Sequence, residues 1–394
     1  MEWVSALSEA ADLSAAIEAT VEDVQSRMEG APDIVFAFPS ADYEEAISGI
    51  VDALDRAWPG VIVMGCTAGG VVGDGREFEG PRGLALTAAQ LPGVEITTFV
   101  IESEQLPEAD AGPEAWSQLI GVSADALPHF VVTPDPFTFD AERLIRGIDA
   151  TWPQSTLVGG LASGGRRPGG HLLFAGDRVV EGGAVGVAFT GDIAVETVVA
   201  QGCRPIGHPM FITRGSGNII SELDGQPATE VLAELFEGLS PEDKGLFRNA
   251  LFLGLVMDPE QQMYSHGDFL IRNIMGVDPT SGILAVGARI NSSQVIQFHL
   301  RDARTSEDDL RALLKASRDR GDRAPAGALI FSCLGRGEGL YGQPDLESRV
   351  IQGTMGPVPT GGFFCNGEIG PVHGRTFLHG YTSALALFRP KNCQ

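Results

Sequence analysis

Short apolar runs and helical stripes alternate along this chain in an order that recurs. Ile34 to Phe38 is an unbroken apolar run of strand length, and Pro39-Ser40 ends it. Tyr43, Ile47, Ile50, Val51, Leu54 and Trp58 then fall at helical spacing, with Ser40 or Asp42 placed to cap the helix. Pro59-Gly60 stops the helix, Val61 to Gly65 reads as a second buried strand, and a glycine turn through Gly70 leads to a third strand over 83–88. The same order returns from Phe130. A strand over 130–132, a turn at Pro134-Asp135-Pro136, and a helix face of Leu144, Ile145, Ile148 and Trp152 lead to a strand at 156–158. A glycine turn over 159–165 and a strand over 183–190 complete it, and Trp152-Pro153 repeats the Trp58-Pro59 ending. It returns again as a strand over 328–331, a helix with Leu346, Val350, Ile351 and Met355, a strand at 362–364, a turn through Gly370 and a strand over 382–388. The uneven spacing argues for a repeated supersecondary unit, not a solenoid.

The flanks read differently. Leu13, Ile17, Val21 and Val24 recur at helical spacing in an alanine-rich stretch, so residues 1–30 are expected to be one or two surface helices. Strand-like runs at 195–200 and 210–213 precede a helix over 224–239. An antiparallel meander over 251–256, 270–275, 282–286 and 294–299 follows, and then a polar helix over 306–320. The pattern breaks at Arg214-Gly215-Ser216-Gly217-Asn218, which places a domain boundary near 215–225. The expected division is an N-terminal helical segment 1–30, one domain over 31–218 and another over 219–394. The fold class expected is α+β: mixed β-sheets packed together, with helices on the outer faces, because each sheet needs its apolar face covered.

Charge narrows the partners. With 52 acidic against 27 basic residues, the net charge of −25 repels phosphate backbones and anionic membrane surfaces. No nucleic acid and no membrane partner is expected. Cys66, Cys203, Cys333, Cys365 and Cys393 are odd in number and lack metal-ligand spacing, which fits a reducing cytoplasm. The acidic N-terminus does not resemble a signal peptide, and no apolar run reaches the ~18 residues of a membrane span. P-loop, H-E-x-x-H and G-x-S-x-G motifs are absent. Gly70 to Gly75 is followed by a strand pattern, not the helix that a dinucleotide site needs.

Three constellations carry chemistry. In Ser332-Cys333-Leu334-Gly335-Arg336-Gly337 a strand delivers a cysteine to a glycine loop around one arginine. Backbone N–H groups and a guanidinium there would hold a carboxylate, and Arg336 would favour a thiolate at Cys333. The competing reading is an inert cysteine beside a tight turn. In Cys365-Asn366-Gly367-Glu368 the amide and the acid are candidate ligand contacts, against a purely structural turn. Arg272, His299 and Arg301 lie on strand-like runs, where alternation puts Gln297, His299 and Arg301 on one face. Mutual satisfaction of these charges is the alternative.

Taken together, Met64-Gly65-Cys66-Thr67-Ala68-Gly69-Gly70, Gly202 to Gly207, Gly267 to Asn273, Gln297 to Ala303, Ser332 to Gly337 and Gly362 to Gly370 resemble the FIST family, with its N-terminal and C-terminal domains. The resemblance implies a cytosolic sensory module that binds a small ligand such as an amino acid or other carboxylate between its two halves. Cys333, Gly335, Arg336, Gly337, Asn366, Gly367, Glu368, Arg272, His299 and Arg301 are the candidate contacts. Some relatives look like haem-based gas sensors, so haem is the alternative cofactor, with His299 the first histidine to test. In F-box relatives the cysteine matching Cys333 is electrophile-reactive, which keeps a cysteine-dependent enzyme in view. With no kinase or F-box segment in the sequence, output is expected through a separate signalling protein such as a histidine kinase.

Overall fold

The computed structural model describes residues 1–108, 111–321 and 323–391. Cys393 lies outside the described residues. The chain forms two compact units. The first takes Met1–Val199, Leu310–Leu378 and the segment from Thr382; the second takes Ala200–Asp309 and His379–Tyr381.

The first unit is one motif used three times. Each copy runs strand, helix, strand, helix, strand, glycine turn, hairpin, strand. In the first copy the three strands before the turn are Glu2–Ser8, Ile34–Pro39 and Ile62–Cys66, with helices Leu13–Arg27 and Ile50–Ala57 between them. A small hairpin, Val71–Gly73 and Arg76–Phe78, and the strand Leu84–Gln90 close it. The second copy uses strands Val94–Ile101, His129–Pro134 and Thr156–Gly160, helices Pro113–Ile120 and Ala141–Thr151, hairpin Leu173–Ala175 and Arg178–Val180, and strand Ala184–Gly191. The third opens on strand Ile193–Gln201 and resumes at helix Ala303–Arg320, with the second unit lying between them in the chain. Strands Gly327–Cys333 and Thr360–Cys365 flank helix Leu346–Met355, and the hairpin Glu368–Val372 with Arg375–His379 leads to Thr382–Pro390.

Every copy makes a six-stranded mixed sheet, and every sheet borrows a hairpin. The two strands around the second helix of each copy run parallel, and the last strand of each copy pairs antiparallel with the strand before that helix. The first copy's hairpin pairs with the third copy's strand Thr360–Cys365, the second's with Ile62–Cys66, and the third's with Thr156–Gly160. The exchange runs full circle. One core collects residues from all three sheets, among them Phe36, Phe38, Val131, Phe189, Phe331 and Phe363. Helices cover the other faces: Ile17, Val24 and Leu54 on the first sheet, and Trp116, Leu144 and Ile148 on the second. The fold class is α+β.

Two local expectations are corrected. Residues 1–30 hold one of the one or two helices expected, Leu13–Arg27, but Glu2–Ser8 ahead of it is a strand paired along its whole length with Leu84–Gln90. Tertiary pairing overrides the helical propensity of the stretch. Trp3 there stacks on Phe388, with centroids 4.6 Å apart. Ser40 does not cap a helix with its side chain; its Oγ accepts from Gly83 N at 3.0 Å.

The second unit is a closed sheet. Cys203–Ser216 pairs over its first half with Val295–Arg301 and over its second half with Ile219–Leu223. Leu251–Val256, Phe269–Asp278 and Ile283–Val286 complete the circuit between those two partners. Helices Ala228–Gly238 and Pro241–Ala250 are added to it, and Ile212, Leu253, Leu284 and Phe298 fill its core. Among the described residues, no helix is long and apolar enough to cross a membrane.

Candidate functional site

The three copies share one tight contact, and it fixes how their strand ends correspond. A Cβ on Gly65, Gly159 or Gly362 would lie 1.9 Å from the carbonyl oxygen of Ala37, Val132 or Ile330 respectively. Each of those glycines faces that residue in the parallel pair. Only glycine permits this approach. Counting forward from the three carbonyl residues, Ser40, Asp135 and Cys333 occupy equivalent positions at the strand ends. The backbone agrees for the first two, where Ser40 N donates to Gly83 O and Asp135 N to Gly183 O, both at 2.8 Å.

The glycine turns that follow hydrogen-bond to one another. Leu161 N donates to Gly367 O at 2.9 Å, and Asn366 N donates back to Leu161 O at 3.1 Å. Phe364 N donates to Gly70 O at 2.9 Å, and Ser163 N to Thr67 O at 3.4 Å. Ser163 joins all three turns: its Oγ accepts from Gly69 N at 2.9 Å and donates to Phe364 O. Small residues let the turns meet. A Cβ on Gly160 would collide with the Cys365 side chain, and one on Gly69 would lie 2.8 Å from Leu334 Cδ2.

At the end of the third copy's strand, Cys333 is half-buried and Leu334 is 39% exposed. Arg336 is buried. Its Nε donates to Glu347 Oε1, and its Nη2 donates to Tyr341 Oη at 2.8 Å. Tyr341 Oη donates to the same carboxylate oxygen at 3.0 Å, and Ser383 Oγ donates to the other at 3.3 Å. Burial works against the Arg336 charge, but the Glu347 carboxylate outweighs it and raises the pKa, so the guanidinium stays charged. The sequence expected a ligand carboxylate at Arg336; the carboxylate found there is the chain's own Glu347. Glu77 is close by. Burial and the Glu347 charge push its carboxyl up to about 8, although Ser348 N donates to it at 2.7 Å. Gly335 and Gly337 shape the loop, and Glu79 Oε1 accepts from Glu338 N at 2.7 Å beside Gly337.

The turn residues are tied inward. Asn366 Nδ2 donates to Ala162 O at 3.0 Å, and Gly367 supplies the carbonyl that Leu161 uses. Glu368 is fully buried, and its Oε2 accepts from Thr382 N at 2.9 Å and Thr382 Oγ1 at 2.6 Å. Burial raises its pKa to about 7 against those bonds, and burial also pushes the Cys365 thiol up.

Sequence reasoning missed Ser163, Glu347, Glu77 and the pair Asp135–His171. His171 Nδ1 lies 2.8 Å from Asp135 Oδ2 with both side chains buried, and Phe137 stacks on the imidazole at 5.7 Å. Position was the available signal for Asp135, which holds in the second copy the place of Cys333 in the third.

Arg272, His299 and Arg301 belong to the second unit. His299 is buried on the face of its strand opposite Phe298, with Nδ1 3.0 Å from Gln297 O and its ring edge-on to Phe269. Burial lowers its pKa to about 4, so it is neutral at pH 7. Arg301 lies over the Tyr381 ring at 5.6 Å, and Arg272 Nη1 donates to Ile271 O at 2.9 Å.

Residues 33–226 match the model of the FIST N domain and residues 228–371 that of the FIST C domain. The chain belongs to the FIST family, whose domains are sensory, ligand-binding modules of signalling proteins. An uncharacterized protein of Mycobacterium tuberculosis is 34% identical over 376 residues, covering 95% of this chain and 96% of its own. An uncharacterized protein of Mycobacterium bovis is 34% identical over 374 residues, 95% of each chain. An F-box/LRR-repeat protein of Arabidopsis thaliana is 24% identical over 192 residues, 42% of this chain and 34% of that one.

Proposed function

We propose that this protein is a cytosolic sensor that binds an amino acid or other small carboxylate beside Cys333 and passes the signal to a separate protein such as a histidine kinase. One observation carries the placement. Of the three equivalent strand-end residues, Ser40 and Asp135 are buried, and Cys333 alone is partly open. Cys333, Leu334 and Asn366, which are partly open or exposed at these strand ends, would form the rim, with Gly69 and Ser163 beside Leu334. Arg336 has a different task in this reading: paired with Glu347, it holds the loop in shape. In this reading the counter-charge would come from the second copy's turn, where Arg166 and Arg167 are exposed on the loop that follows Ser163. Among the described residues neither makes an ion pair with an acid. Two uncompensated cations are unusual on a chain of net charge −25 and would draw an anion to that face.

Thermal-shift titration with amino acids and organic acids tests the reading, because a ligand stabilises in proportion to RT ln(1 + [L]/Kd). At least one carboxylate is expected to raise Tm in a concentration-dependent way, and the double variant Arg166→Ala/Arg167→Ala and the single variant Cys333→Phe are each expected to abolish the rise. No shift with any acid, or a shift that both variants keep, sinks the proposal.

A further inference from the structure

The second unit carries a cleft of about 860 Å³ between helix Ala228–Gly238, helix Pro241–Ala250 and strand Phe269–Asp278. That volume falls in the range of roughly 300–1,000 Å³ typical of small-molecule sites. Its lining is mainly apolar: Leu232, Phe236, Phe247, Leu251, Ile274 and Val277. Phe236 and Phe247 sit 5.1 Å apart with their rings tilted. Val277 is 46% exposed, so water now touches a surface that an apolar guest would cover.

Charge at one end of the cleft selects the guest. Lys244 Nζ lies 5.2 Å from the centre of the Phe236 ring and the Arg248 guanidinium 5.8 Å from it. Lys244 is matched by Glu237 at 3.5 Å. Arg248 is exposed, lines the cleft, and has no acidic partner among the described residues. The acid on the lining, Glu230, stands in the first turn of its helix, where the free N–H groups already favour a negative charge. The aromatic end is therefore left with one uncompensated cation.

We propose that this cleft binds an amphipathic carboxylate, with its apolar body on Phe236 and Phe247 and its carboxylate on Arg248. The site shares no residue with the Cys333 rim and stands or falls separately from it.

The experiment uses the full chain and 1-anilinonaphthalene-8-sulfonate, an amphipathic anion, displaced in turn by decanoate, decanol and decyltrimethylammonium. The dye is expected to bind saturably, and decanoate to displace it about tenfold better than decanol, as one charge-assisted contact allows. Arg248→Gln should remove that advantage and leave decanol within about twofold of its wild-type value. Ala233→Trp, at an exposed lining position on a helix, should fill the cleft and abolish dye binding with Tm unchanged. Non-saturable dye binding, dye binding that survives Ala233→Trp, or displacement by decanol or decyltrimethylammonium equal to that by decanoate overturns the proposal.

Discussion

Arg336 and Glu347 are both about as buried as charged groups become, each 1% exposed, and neither is tolerable there without the other. Removing one partner strands a charge away from water, at a cost of about 3–5 kcal/mol. Arg336→Met and Glu347→Gln are each expected to lower the urea midpoint accordingly, and the double variant Arg336→Met/Glu347→Leu to recover most of the loss. A double variant as unstable as the sum of the singles would show that the pair is not the unit. The glycine loop around Arg336 marks, in the sequence alone, a place where an anion belongs. It did not say which, because Glu347 interrupts the apolar stripe of its own helix and looks like a surface acid. Buried acids also set a pH dependence. Folding raises Glu368 from its ordinary 4.5 to about 7 and Glu77 to about 8. Between those limits the native state holds protons that the unfolded chain has lost. Stability therefore falls as pH rises through this window, by up to ~1.4 kcal/mol per pH unit for each group. Glu77→Gln and Glu368→Gln should each flatten the fall between pH 5 and pH 8 in urea titrations, and an unchanged slope would remove that acid from the account.

At the scale of elements, the glycine that abuts the neighbouring carbonyl is what lets each parallel pair lie close. Gly159→Ala would put a methyl 1.9 Å from Val132 O, against the Val132 backbone and with no flexible side chain to move. Destabilisation above about 4 kcal/mol is expected, enough to lose soluble protein. Gly353, within helix Leu346–Met355, has nothing within 4 Å of its missing Cβ. Gly353→Ala should instead stabilise by about 0.5–1 kcal/mol, since a helix interior favours alanine. Soluble yield, and thermal melts of whatever folds, separate the steric glycine from the merely permissive one, and equal effects would undo the distinction. These elements also show what periodicity carries. The middle of each copy was readable because its strands are continuous apolar runs and its helix has one clean stripe, twice ended by a buried tryptophan, Trp58 and Trp152. The first strand and first helix of the copies were harder. Glu2–Ser8 has four consecutive buried residues without alternation, and the half-buried pattern of Val94–Ile101 gives no period-two signal. In the third copy the second unit stands between strand and helix, so the order is broken in sequence although intact in the fold.

For the whole molecule, hairpin exchange and sheet closure lead to opposite expectations for its parts. A first copy cut out as residues 1–92 would keep Glu2–Ser8, Leu84–Gln90 and the parallel pair, but would lose the hairpin Leu173–Val180 from the edge of its sheet. Its own hairpin, Val71–Phe78, would have no Thr360–Cys365 strand to join. The apolar faces of Phe36, Phe38 and Met64 would have no other sheet to meet, so the fragment buries too little to offset the entropy of ordering its chain. It should show no near-ultraviolet dichroism and bind hydrophobic dye without saturation. The insert 200–309 has no such debt. Its sheet returns to its own first strand, and its core of Ile212, Ile220, Leu253, Leu284 and Phe298 is drawn from within the segment. It lacks only His379–Tyr381 of its unit, of which Tyr381 contributes one ring against Phe252. Expressed alone, it should unfold in a single cooperative urea transition with dispersed amide resonances. If residues 1–92 fold alone, hairpin exchange is not what makes the first unit cooperative, and if 200–309 does not fold, closure of its own sheet is not enough to stabilise it.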